Sequence, residues 1–248
     1  MYKQSSNCVV KSAPSSVNPK FVPATFGATT SNKLQVTAKA QEPVLIKYLF
    51  VKASDNGVVE DLKIGNQSLN CSDSDISLAL FQNGTQRKPA IGVAVDGNIQ
   101  LTIDVLTDGD ANVSAGYTCE AIEAAPSINE QGGAIDKFFG LGKVSVPAGG
   151  SAELSAQALR DAMLKSFVLH SHDEANSAKV TISDITIKGR SIFSGQASSG
   201  IGIDIFDTTT QDFTLMVNTA ISTNERVTVT LANSHTAAIT VSGGGYCD

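Results

Sequence analysis

Glu60-Asp61-Leu62-Lys63-Ile64-Gly65-Asn66-Gln67-Ser68-Leu69 is answered in the second half of the chain by Ser183-Asp184-Ile185-Thr186-Ile187-Lys188-Gly189-Arg190-Ser191-Ile192. Val113-Ser114-Ala115-Gly116-Tyr117-Thr118-Cys119-Glu120 is answered, with small gaps, by Val241-Ser242-Gly243-Gly244-Gly245-Tyr246-Cys247-Asp248. Between these anchors Ala79-Leu80-Phe81-Gln82 corresponds to Asp204-Ile205-Phe206-Asp207. Matched residues (61 and 184, 81 and 206, 113 and 241) lie 123, 125 and 128 positions apart, so order is kept and only loop lengths drift. Solenoid repeats have periods of roughly 20–50 residues. A period this long means two whole domains, each with its own core.

The composition agrees with two β-rich domains. In 248 residues, 42% are hydrophobic and 17% charged, Trp is absent, and there are 21 glycines. Ser and Thr are abundant, as in proteins with many tight turns. The net charge of −6, with no Lys/Arg run longer than Arg87-Lys88, argues against broad binding of a phosphate backbone and against sequence-specific nucleic-acid recognition. No stretch approaches the roughly 20 apolar residues of a membrane-spanning helix. Residues 1–16 carry Lys3 and Lys11 without an apolar run, so no signal peptide is expected. Four cysteines, Cys8, Cys71, Cys119 and Cys247, form no CxxC pair. Cys119 and Cys247 fall at equivalent places in the repeats and read as packed thiols rather than halves of a disulfide, as suits a reducing cytoplasm. The sequence alone leaves the thiol or disulfide state of all four open.

Short apolar or alternating runs, bounded by Gly, Asn, Asp or Ser, predict eight strands in each half. In the first they fall near 20–28, 33–40, 43–53, 58–65, 76–82, 89–95, 98–106 and 112–119. In the second they fall near 140–147, 151–158, 163–171, 179–188, 201–206, 211–218, 225–233 and 236–246. Ile99, Leu101, Ile103 and Val105 alternate onto one face, and Val227, Val229 and Leu231 repeat the pattern. Asp55-Asn56-Gly57, Asn83-Gly84, Asp96-Gly97-Asn98 and Asp108-Gly109-Asp110 supply turn chemistry. The sole helical pattern, Ser155–Leu164, matches a strand-like segment in the first repeat, so mostly strand with an inserted helical turn is expected there. The organisation expected is an N-terminal arm (1–19), a first domain (20–120), a linker (121–138) and a second domain (139–248). Eight short strands at such spacing predict an all-β chain of two tandem eight-stranded jelly-roll β-sandwiches. Without Trp, the Cys…Trp…Cys core of an immunoglobulin sandwich is impossible.

Catalytic patterns are missing: there is no GxSxG, P-loop, HExxH or helix-opening GxGxxG, and Gly243-Gly244-Gly245 has no following helix to make it a phosphate cradle. His170-Ser171-His172-Asp173 puts two imidazoles on one side of an extended segment, as in cupin metal sites. The first repeat has no histidine and His235 lies in a separate hairpin, so these read as a polar strand end. Asp108-Gly109-Asp110-Ala111-Asn112 and Asp73-Ser74-Asp75 space oxygens as calcium loops do but lack the Gly and bidentate Glu. They read as solvated turns, which a partner chain's ligands would have to complete. No catalytic, cofactor-binding or metal residue is assigned, and no cofactor is expected.

The duplicated segments Asp61–Leu69 and Asp184–Ile192, the paired ends Val113–Cys119 and Val241–Cys247, and the polar arm together resemble one family. These are the double-jelly-roll major capsid proteins of non-tailed icosahedral viruses, particularly membrane-containing bacteriophages. The resemblance is architectural and covers about Phe21 to Asp248. It implies a non-enzymatic structural subunit, made in the host cytoplasm and residing in the virion. Such a subunit forms pseudo-hexameric homotrimers that tile a shell beside penton and minor capsid proteins. It also implies an arm facing the shell interior, where Lys3, Lys11 and Lys20 would meet anionic headgroups of an internal membrane.

The competing reading is a two-domain, lectin-like carbohydrate-binding sandwich. Lectin sites stack sugars on exposed aromatics, and there are only four tyrosines: Tyr2, Tyr48, Tyr117 and Tyr246. Tyr117 and Tyr246 read as equivalent, packed strand-end residues. A two-domain cupin enzyme fails on its single incomplete histidine cluster.

Overall fold

A computed structural model describes residues 20–23, 27–82, 90–123, 138–192, 200–206 and 215–247. The arm with Tyr2, Lys3, Cys8 and Lys11, the turn Asn83-Gly84, the pair Arg87-Lys88, linker residues 124–137, positions 211–214 and Asp248 lie outside the described residues.

The first half comprises β1 (Lys20–Pro23), β2 (Gly27–Ala28), β3 (Lys33–Lys39), β4 (Val44–Ala53), β5 (Gly57–Ile64), β6 (Gln67–Ser68), β7 (Ile76–Ser77), the helical turn α1 (Ala79–Gln82), β8 (Ala90–Val95), β9 (Gln100–Thr107) and β10 (Asn112–Ala121). The second comprises β11 (Phe138–Val146), β12 (Ser151–Gln157), β13 (Ala162–Ser171), a 3-10 turn (Glu174–Lys179), β14 (Val180–Ile187), β15 (Arg190–Ser191), β16 (Ile201–Gly202), a second 3-10 turn (Ile203–Phe206), β17 (Leu215–Ile221), β18 (Arg226–Asn233) and β19 (Ile239–Cys247). In the first half one sheet runs β1-β10-β4-β8 with β2 also on β10, and its partner sheet runs β3-β9-β5-β6 with β7 also on β5. In the second the orders are β11-β19-β13-β17 and β12-β18-β14-β15, with β16 also on β14. Taking β1 with β2, β6 with β7 and β15 with β16 as broken single strands, each half has strand order 1-8-3-6 in one sheet and 2-7-4-5 in the other. That is the interleaved Greek-key order of a jelly roll. The chain is two jelly rolls in tandem.

The repeat extends to irregularities in the ladders. Glu60 is an extra residue in β5, where pairing with β9 shifts between Val59 and Asp61; Ser183 is extra in β14, where pairing with β18 shifts between Ile182 and Asp184. Lys47 in β4 and Lys165 in β13 are extra against β10 and β19 in the same way. Each bulge resets the alternation. Val59, Leu62 and Ile64 are therefore all buried, as are Ile182, Ile185 and Ile187. The turns that follow use positive φ as two-residue hairpins require: Gly65 at +58° in the first half, Lys188 at +55° and Gly189 at +70° in the second.

Several local expectations are corrected. The segment 155–164 holds no helical turn: β12 ends at Gln157, a bend follows, and β13 begins at Ala162. Helical turns occur instead where strands were expected, in 76–82 and 201–206, whose strand portions shrink to β7 and β16. These turns fall at corresponding places, within one residue of the end of a two-residue strand, so the duplication holds even there. The strand expected over 20–28 is two pieces, β1 and β2.

Leu101, Ile103 and Val105 on β9 and Val227, Val229 and Leu231 on β18 point inward, each 2% exposed or less, while Ile99 packs at the margin. Leu101 pairs across the ladders with Ala38 and Ile64. Leu101→Asp places an unpaired charge among them and is expected to cost several kcal/mol, about 3 or more. A wild-type melting curve for this variant would show that the β9 register is wrong.

Candidate functional site

The segment from Leu69 to Ser77, which leaves β6 and forms β7, lies against the second jelly roll and extends its hydrogen bonding. Cys71 N donates to Phe138 O (2.9 Å), Phe138 N to Leu69 O (3.1 Å), Leu159 N to Cys71 O (2.8 Å) and Gly142 N to Asp75 O (2.8 Å). Asp73 N donates to Gln157 O (3.0 Å), and Gln157 N returns a bond to Asp73 Oδ1 (2.7 Å). Asn70, 8% exposed, is the hub. Its Oδ1 accepts from Gly140 N (3.1 Å) and Ser72 N (3.2 Å), and its Nδ2 donates to Ser74 O (2.7 Å). Such partners are required, because a buried amide left unpaired costs a few kcal/mol.

Glycines make this approach possible. A Cβ on Gly140 would sit 2.1 Å from Ser74 O and 2.4 Å from Asp75 O, and one on Gly244, its ladder partner, would meet Ile76 at 3.3 Å. Within the run Gly243-Gly244-Gly245, Gly244 is therefore the place where β7 rests, while a Cβ on Gly243 or Gly245 would point into the second roll's own core, toward Leu169 or toward Leu164 and Phe167. Apolar contact completes the join: Phe138 belongs to the first half's core cluster, with its ring 5.1 Å from Phe81 and 6.0 Å from Tyr246.

A polar relay crosses the same junction. The Asp108 carboxylate, in the β9–β10 turn, contacts His172 Nδ1; His172 Nε2 is 2.9 Å from Ser242 Oγ, which is 2.8 Å from Ser77 Oγ. A carboxylate at Nδ1 keeps a proton on that nitrogen, and Nε2 is left to pair with Ser242. Lys143 Nζ donates to Asp108 Oδ1 (2.9 Å), Asn56 Nδ2 donates to His172 O (3.1 Å), and His170 Nε2 lies 3.0 Å from Asn56 Oδ1. Burial pushes the Asp108 carboxyl up, but the hydrogen bonds and charges of Lys143 and His172 outweigh it and hold the group below the usual carboxylate range. Asp75 goes the other way, raised chiefly by burial and further by Glu60, against opposing pulls from Lys143 and Lys33.

The order Asp–His–Ser is that of a hydrolase triad, and no sequence motif announced it. Ser242 and Ser77 are both 0% exposed, however, so no substrate carbonyl reaches either hydroxyl. What the relay does is join two domains. His170 and His172 do lie at a polar strand end, where β13 finishes at Ser171, and that end takes part in an interdomain contact, with His170 buried and His172 half-buried. Asp73, Asp108 and Asp110 are all exposed, as expected of solvated turns, but Asp73 and Asp108 also bond across the junction, to Gln157 and His172. His235 stands apart, its Nδ1 3.3 Å from Ala237 N. Among the described residues no group of three or more His, Cys, Asp or Glu is arranged to hold a metal, and no helix is long and apolar enough to cross a membrane. A cleft of about 460 Å³ flanks the junction, lined by Glu60, Asp61, Asp73, Asp75 and Arg160 among others. Arg160 Nη2 donates there to Ser68 O (3.0 Å) and Asn70 O (3.1 Å).

The tyrosines also differ from expectation. In ladder register, Tyr246 occupies the place of Thr118, and Tyr117 that of Gly245, so they are not equivalent. Tyr117 is 1% exposed in the first core, and burial is the main cause of its pKa rise to about 12. Tyr246 turns to the junction, where its hydroxyl donates to Leu80 O (3.3 Å). Cys119 and Cys247 are equivalent and buried, as expected.

Two measurements test this junction. Gly140→Ala drives a methyl group into backbone carbonyls; the single melting transition expected of wild type should split into two, with each jelly roll retaining its β-sheet circular dichroism. Because folding lowers the Asp108 pKa, its contribution is present above the unfolded value near 4 and is lost as pH falls through and below it. The wild-type chain should lose stability over that acid window, and Asp108→Asn should be less stable at pH 7 while losing less on acidification.

No protein-family model matches the chain, and no curated protein matches it. Among solved structures, it is similar to the major capsid protein P2 from bacteriophage PM2, at 10% identity and TM-score 0.43 over 92% of this chain and 98% of that one. It is also similar to the PBCV-1 virus capsid, at 9% identity and TM-score 0.36 over 99% of this chain and 95% of that one. These are likenesses of shape; the assignment of two tandem jelly rolls rests on the strand orders given above.

Proposed function

We propose that this chain is a major capsid protein, a structural subunit whose trimers tile an icosahedral shell. The observation that carries the reading is that two jelly rolls of identical strand order are locked side by side by a buried junction. Such a chain acts as one block with two nearly equivalent lateral units, and three blocks around an axis give a pseudo-hexagonal outline. The similar solved chains, whose names describe capsid proteins, accord with this reading. The net charge of −6 and low charged fraction suit broad neutral side-by-side contacts better than electrostatically steered capture of one charged partner. The proposal extends to penton and minor capsid proteins as neighbours, to an internal membrane met by the arm, and to a role without catalysis. The carbohydrate-binding alternative has less support: Tyr117 is buried and Tyr246 is tucked into the junction, leaving Tyr48, 41% exposed, as the one open tyrosine among the described residues.

Light scattering and electron microscopy of the purified protein, or of particles containing it, separate the two readings. Three-fold capsomers with pseudo-hexagonal outlines on an icosahedral lattice are the expected result. A monodisperse monomer that binds a glycan column and never assembles would transfer the assignment to the lectin.

A further inference from the structure

We propose that Cys71 and Cys247 form a disulfide that covalently staples the two jelly rolls when the protein meets an oxidant. Cys71 lies in the docked segment of the first half and Cys247 ends β19 of the second. Neither cysteine is in a disulfide, both are buried, 0% and 3% exposed, and their sulfurs are 3.1 Å apart. A disulfide bond is about 2.05 Å long, so closure requires the sulfurs to approach by roughly 1 Å. The surrounding backbone holds the pair in place: Cys71 N and O are bonded to Phe138 and Leu159, and Cys247 is paired with Leu164 in the β13–β19 ladder. Cys119 occupies the equivalent place to Cys247 in the first jelly roll but packs inside that roll's own core cluster, whereas Cys71 belongs to the second roll's cluster. The symmetric position is thus a plain buried thiol, and the junction is what turns its counterpart into half of a pair.

The chemistry is thiol–disulfide exchange with a glutathione-type disulfide or oxidation by a peroxide. In exchange, one cysteine thiolate attacks the oxidant's disulfide and expels a thiolate; the second cysteine thiolate then attacks the mixed disulfide and expels another. The two thiols together lose two protons and two electrons, and the oxidant becomes two thiols. With peroxide the first step gives a sulfenic acid and water, and the second thiol displaces a second water. A reducing cytoplasm keeps the pair open and an oxidising medium closes it.

The full-length protein is incubated in glutathione redox buffers, from reducing to oxidising, until its free-thiol count is constant. It is then alkylated and mapped by mass spectrometry without reduction. The expected result is loss of two thiols per chain, a linked peptide joining Cys71 to Cys247, and a melting temperature higher by about 5 °C or more that dithiothreitol reverses. Cys8→Ser should behave like wild type, and Cys119→Ala should still form the link. Four thiols remaining in the most oxidising buffer, a link through Cys8 or Cys119, or mixed glutathione adducts at Cys71 or Cys247 in place of the link would each overturn the proposal. The readout is covalent and on single chains, so it does not depend on whether the protein assembles a shell.

Discussion

The structure depends on a desolvation constraint at one seam. To lay Leu69–Ser77 against the second jelly roll, the first half must bury a run of backbone amides and carbonyls, and each must find a partner. Two features meet that demand together. The Asn70 carboxamide turns inward and is bonded on both its oxygen and its nitrogen, and the facing sheet gives up its side chains at Gly140 and Gly244 so that backbone can meet backbone. Neither feature works alone: without the glycines the carbonyls of Ser74 and Asp75 could not approach, and without Asn70 the Gly140 amide would be buried unpaired. The Asp108–His172–Ser242–Ser77 relay then crosses the same seam, and Phe138 fills the apolar side of it. The two cores are consequently not independent, since Phe138 and Val168 join the first cluster and Cys71 joins the second.

The fold was largely legible because its elements are local. Alternation in Ile99–Val105 and Arg226–Leu231, glycine turns at Gly65 and Gly189, and the duplicated order of both halves each follow from a few neighbouring residues. The failures have equally local causes. Ala79–Gln82 and Ile203–Phe206 are short apolar runs, which periodicity alone cannot divide between strand and helical turn. Ser155–Leu164 has helical composition, but Leu154 and Ala156 face a core that only a strand can reach at that spacing, so tertiary packing overrode propensity. The bulges at Glu60 and Ser183 break strict period two, yet they break it in the same way in both halves, which is why the repeat read more clearly than either strand did by itself.

The junction was not legible. His172, Asp108, Ser242 and Ser77 come from four separate stretches of chain, and nothing in the local pattern of any of them specifies that they meet. Asp108 sits in a turn whose residues look hydrated, and Ser242 lies in an expected strand whose sequence does not say what covers it. The one available signal was the departure of the second repeat from the first on the outward face of the ladder: by register His170 replaces the exposed Lys52, Ser166 replaces the exposed Tyr48 and Tyr246 replaces Thr118. Loss of a charge and relocation of an aromatic on an outward strand face mark a face that something else covers.

That asymmetry follows from duplication itself. Two copies of one sandwich present the same sheet face twice, but a single chain has one seam between its halves and covers one of them. The second half's face, with Ser242 and Gly244, is buried under β7. At the matching register of the first half Ser114 and Lys52 are exposed, and Tyr48 nearby is the largest open aromatic among the described residues. The pair of cysteines records the same division. Cys119 and Cys247 descend from one position and both remain buried, but among the described residues only the copy at the seam has another domain's sulfur within reach. Selection for packing keeps the thiol in both halves, and the geometry of the seam decides which of the two has chemistry open to it.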